Sequence, residues 1–127
     1  MGSRTLVAAV ARRVVADEAE GDVFGLFAVL WQVKHELPTA SASDVKHAVV
    51  AALAAAIEKH RIVPGEFADR GDEKEAFVPW STSAAEALAR IDLACERERD
   101  RDVVWFAPPK LLPLVVHKLR MLQSFHP

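Results

Sequence analysis

Between Gly21-Asp22 and Pro38 the chain carries Val23, Phe24, Leu26, Phe27, Val29, Leu30, Trp31 and Val33, with no charged side chain before Lys34. A helix that is apolar nearly all round is one that other elements must cover. Asp22 is a good N-cap and Pro38 is a stop, so the pattern predicts a helix over 23–37 as the buried centre of the fold. The longest apolar stretch within it, Val23 to Trp31, is nine residues. A bilayer span needs about 20, so the run belongs to a core and not to a membrane.

The flanking segments supply partners for that centre. Thr5–Glu20 places Val7, Val10 and Val14 at helical spacing, with Arg13 and Asp17 set for an i,i+4 pair, and Gly21 ends it. After the polar linker 38–43, Ser41 and Asp44 stand in the relation of a capping box. A third helix is expected over Asp44–His60, burying Val45, Val49, Ala52, Leu53, Ala56 and Ile57. Ser83-Ala84-Ala85-Glu86 opens a fourth, with Ala84, Ala87, Leu88, Ile91 and Cys95 on its inner face. Lys110–Phe125, carrying Leu111, Val115, Leu119 and Leu122, reads as a fifth with Pro113 in its first turn.

Two stretches break the helical period. Arg61-Ile62-Val63 has strand character, Pro64-Gly65 is a turn signal, and Ala76-Phe77-Val78 is a second short apolar run. Together they predict an irregular hairpin over 62–78. Val103–Ala107, β-branched and aromatic and closed by Pro108-Pro109, is the strongest strand in the chain. The fold class is therefore α+β, a single globular domain over 1–127. Four to five helices surround the 23–37 helix, with a small antiparallel sheet made from the 62–78 hairpin and strand 103–107. Trp80, Trp105 and Phe106 are expected to pack together beneath the fourth helix. The order of elements is also that of a winged helix-turn-helix.

At 127 residues with 51% hydrophobic content, the chain has enough apolar mass for one core without staples. The lone Cys95 makes no intrachain disulfide, and Arg12-Arg13 cut short the only signal-like apolar run, so a cytoplasmic location is expected. The absence of Asn and Tyr beside abundant Ala, Val and Arg is the bias of a GC-rich bacterial genome. Met1-Gly2-Ser3 carries no weight.

Each pattern that brings chemistry to mind fails on spacing. His35-Glu36 does not extend to a two-histidine zinc helix, because Thr39 stands at the second ligand position. His47 and His60 lie about 220° apart around one helix. His117 and His126 are isolated. Cys95 falls mid-helix in line with Leu88 and Ile91, where a small buried thiol is the usual outcome. No phosphate loop or nucleophile elbow is present. The pattern therefore calls for no catalytic residue, metal or cofactor, and the chain is not expected to be an enzyme.

Residues 66–75 carry five acids, Glu66, Asp69, Asp72, Glu73 and Glu75, against Arg70 and Lys74, which is −5 + 2 = −3. As the wing of a DNA-binding domain this segment would be repelled by phosphates. As a contact for a basic protein it would steer association. Nucleic acid is thus the disfavoured partner and a protein the favoured one, with these five residues as the candidate contact. The 110–125 helix has two uses open to it: closing the core or making a homodimer.

The block Pro79-Trp80-Ser81, Glu86-Ala87-Leu88, Ile91, then Asp102-Val103-Val104-Trp105-Phe106, resembles small uncharacterised bacterial proteins that read W-x-S-x-x-E-A-L-x-x-I, a charged spacer, and (I/V)-V-W-F. Some of these look like immunity partners of contact-dependent growth-inhibition toxins. That resemblance covers 78–106 and implies a non-enzymatic protein that neutralises one toxin domain by binding it; it assigns no functional residue. The winged-helix transcriptional regulator is the alternative.

Overall fold

The computed structural model describes residues 2–70 and 73–111. Helix α1 (Gly2–Glu20) is followed by a two-residue strand β1 (Phe24–Gly25), α2 (Leu26–Glu36) and α3 (Ala42–Glu58). Strands β2 (Val63–Arg70) and β3 (Glu73–Pro79) form a hairpin, α4 (Ala84–Glu96) follows, and β4 (Trp105–Ala107) comes last. Short 3-10 turns at Glu98–Val103 and Pro109–Leu111 flank β4. The four strands make one antiparallel sheet in the order β1-β4-β2-β3. The architecture is α+β, as the sequence predicts.

The helix ends follow the local chemistry. Ser41 Oγ accepts from the Asp44 amide at 3.1 Å, and Ser83 Oγ from the Glu86 amide at 3.2 Å, so both predicted caps close orphan N–H groups. At the other end of α3, His60 adopts φ 55° while its amide bonds the Ile57 carbonyl and the Arg61 amide bonds Ala56. That pair of bonds is a Schellman motif, with histidine where glycine is usual.

The central helix is shorter than expected and differs in character. Phe24 and Gly25 leave the helical run to pair with Phe106 and Trp105, so α2 starts at Leu26 and ends at Glu36. Leu26, Val29, Leu30 and Val33 are buried, but Phe27 is 43% exposed and Trp31 61%. The helix is therefore not apolar on every side for the sake of the core; one stripe faces outward. α1 and α3 pack against each other and against α2 through Val7, Ala11, Val14, Val45, Val49 and Leu53. α4 closes α3 from the far side with Ile91, Ala94 and Cys95.

Strand alternation explains a second correction. Neighbours on a strand point to opposite faces, so Phe106 enters the main core against Phe24 at 5.3 Å while Trp105 turns away from it. Trp105 meets Phe27 and Phe67 edge to face at 5.7 and 4.8 Å, and Phe67 meets Phe77 at 6.1 Å. Trp80 packs against the same core as Phe106, with the Arg90 guanidinium 3.8 Å above its ring. Of the three residues expected together, Phe106 and Trp80 therefore do share the main core, and only Trp105 stands apart, on the other face of the sheet.

Pro64-Gly65, expected as a turn, lies inside β2. Trp105 is paired with Gly25 on one side and Gly65 on the other. A Cβ on Gly65 would run into the Val78 carbonyl oxygen and the Phe77 ring, so the glycine is there for close approach and not for turning. At the distal end of the hairpin Arg70 pairs with Glu73. Of the expected 110–125 helix, residues 110 and 111 fall in the 3-10 turn; 112–127 lie outside the described residues.

Candidate functional site

Two surfaces stand out. The first is the β2–β3 hairpin, which sits at one end of the sheet order. Asp69 on β2 and Glu73 and Glu75 on β3 share its distal half, and Asp72 lies outside the described residues. Glu66 stands nearer the base, exposed, with its carboxylate 3.9 Å from Arg90 of α4. Both side chains are about half exposed, so that contact is worth little and leaves Glu66 accessible. Four of the five sequence-predicted residues therefore fall on one hairpin, with Glu66 set apart by its neighbour on α4.

The second surface was not singled out in the sequence. It is a groove of about 1290 Å³, open to solvent, between the outer stripe of α2, the first turns of α3 and the end of α4. Its apolar wall is Phe27, Leu30, Trp31 and Val45, with Cys95 behind. On α2, Phe27, Trp31 and Lys34 stand at i, i+4 and i+7, a stripe about 10 Å long. Trp31 also stacks on His35, with ring centroids 4.7 Å apart and planes 9° from parallel.

Five charged side chains line this groove: Glu18, Lys34, Lys46, Glu96 and Arg101. Lys46 bonds Glu96 at 2.5 Å and Asp92 at 3.3 Å, and the Glu96 hydrogen bond is the main reason its ammonium titrates above the ordinary lysine range. Its charge is matched within the fold. Lys34 and Arg101 are not matched: Lys34 donates to the Ala40 carbonyl, and Arg101 to the Cys95 carbonyl from Nε at 3.0 Å and from Nη2. Among the described residues neither cation meets a carboxylate. Across α2, away from this pair, Glu36 takes hydrogen bonds from Gln32 at 2.8 Å and from Arg13, and both hold its pKa down. Arg13 also bonds Asp17 at 3.1 Å, the pair expected from their spacing.

Comparison with family models, curated proteins and solved structures finds no match.

The candidate chemistry of individual side chains is set by their surroundings. Cys95 is buried, and that burial pushes its thiol up to about 11. Such a sulfur is protonated and unreactive at neutral pH. Among the described residues no three His, Cys, Asp or Glu side chains gather as a metal-holding set, and no helix is long and apolar enough to cross a membrane. The outward stripe of α2 did carry a signal in the sequence. A run of eleven helical residues with two bulky aromatics four apart, beyond those needed for one buried face, has more apolar surface than a single core side accepts.

Proposed function

We propose that this chain is a non-catalytic protein-binding module that meets a basic partner through the β2–β3 hairpin. The observation that carries the reading is the placement of Asp69, Glu73 and Glu75 on the distal half of one hairpin, in a segment of net charge −3. Complementary charge raises the rate of encounter with a basic partner. In its finer form the chain is an immunity protein that neutralises a bacterial toxin domain by direct binding. The resemblance of the Pro79–Phe106 block supports that form. The test is co-expression with the product of the adjacent gene, followed by pull-down of the tagged chain. Recovery of a stoichiometric complex that dissociates as salt is raised supports the reading; an adjacent product that does not bind removes the toxin-neutralising form.

One observation favours the alternative, a winged-helix transcriptional regulator. The order α1, β1, α2, α3, β2, β3 is helix, short strand, helix, helix and hairpin. In that reading α3 lies in the major groove and the hairpin is the wing. The side chains speak against it. α4 packs on α3, Lys46 is held by Asp92 and Glu96, and exposed positions of α3 include Ala51 and Glu58. Sequence readers present Arg, Lys, Asn or Gln to base edges and several cations to phosphate. Binding to random duplex DNA at low salt, with a steep salt dependence, would favour the regulator over the protein-binding module.

A further inference from the structure

We infer that the groove between α2, α3 and α4 is a second docking surface, and that its occupant is an amphipathic helical segment of a partner protein carrying carboxylates on its flank. Three features of the groove support this. Its volume, about 1290 Å³, exceeds the usual range for small-molecule pockets, roughly 300–1,000 Å³, and it is open along one side. Its apolar wall presents Phe27 and Trp31 at i and i+4 on one helix face, the spacing at which a partner helix sets its own anchors. Trp31 is 61% exposed although it is among the largest apolar side chains of the chain, and tryptophans in this setting are the residues on which binding energy concentrates.

Charge decides which kind of segment fits. Lys34 at the end of the α2 stripe and Arg101 beyond α4 both line the groove, and among the described residues both donate only to main-chain carbonyls. Each keeps further N–H donors, and no carboxylate among the described residues answers either charge. Of the two acids in the lining, Glu96 is occupied by Lys46, and with Glu18 counted the three cations still leave the lining at 3 − 2 = +1. A carboxylate-bearing helix answers Lys34 and Arg101 directly. The chain's own 112–127 segment is the competing occupant, since Lys110 Nζ holds the chain to the Glu20 carbonyl at 2.9 Å, close in sequence to the Glu18 that lines the groove. That segment contains Lys118 and Arg120 and no acid, so it brings like charge to Lys34 and Arg101. Charge therefore favours a partner over the tail.

This surface is separate from the hairpin, and the experiment keeps the two apart. The full-length chain is used to select binders from a displayed library of random fourteen-residue peptides, and the recovered peptides are measured by fluorescence anisotropy. The expected binders carry apolar residues at i, i+4 and i+7 with net negative charge. Their affinity should fall at least tenfold for Trp31→Ala and for Lys34→Glu combined with Arg101→Glu, and stay unchanged for Asp69→Lys combined with Glu73→Lys. Trp31→Ala removes an exposed side chain, so circular dichroism should show an intact fold. Basic binders, binders indifferent to Trp31→Ala, or no binders at all would overturn the proposal. So would a gain in peptide affinity on Leu119→Asp, which would show that the chain's own tail holds the groove.

Discussion

His60 holds a left-handed backbone at the end of α3, a conformation that costs a side-chain-bearing residue roughly 1–2 kcal/mol. The Schellman bonds on either side fix it there, so the strain is absorbed and not relieved. Replacing it by glycine removes the penalty while adding unfolded-state freedom, which leaves a net gain of about 0.5–1 kcal/mol. His60→Gly is expected to raise the melting temperature by about 2–4 °C in a thermal scan. Cys95 makes the opposite kind of prediction. With its thiol near 11, the thiolate is about one part in a thousand at pH 8. Alkylation by iodoacetamide should be very slow in the native protein and fast after unfolding in guanidinium; equal rates would mean the thiol is not buried.

Among the elements, those that declared themselves in the sequence are the ones with a local chemical signature. Ser41 and Ser83 mark their helices because a cap is a contact within four residues. Strand β4 showed in its β-branched and aromatic composition, although Val103 belongs to the preceding turn. Strand β1 did not show, because two residues inside an unbroken apolar run carry no period, and their pairing with β4 is fixed some eighty residues away. For the same reason Pro64-Gly65 suggested a turn. Its meaning lies across the sheet, where Gly65 lets the Phe77 ring and the Val78 backbone come close. Gly65→Ala should then cost about 1–3 kcal/mol, the usual effect of forcing bulk into a packed site. A urea titration showing no shift in midpoint would mean that the sheet gives way at little cost.

For the molecule as a whole, the distribution of charge matters more than its net value of −2. Five acids lie in the hairpin segment, and two cations that meet no carboxylate among the described residues line the groove. The first was legible because it is a continuous stretch of sequence. The second was not, because Trp31, Val45, Cys95 and Arg101 come together only through the packing of α2, α3 and α4. The outward stripe of α2 left its signal in the surplus of bulky apolar residues, although the apolar run itself suggests a fully buried helix. A basic partner steered by the hairpin should associate slowly once the sign there is reversed, and the difference should shrink as salt shortens the reach of the field. The direct measurement is the association rate of the adjacent-gene product with the wild-type chain and with the Asp69→Lys, Asp72→Lys, Glu73→Lys triple variant, by stopped flow at low ionic strength. A fall of at least tenfold, narrowing in 0.5 M salt, is the predicted result; an unchanged rate at low salt would contradict the hairpin as the binding surface.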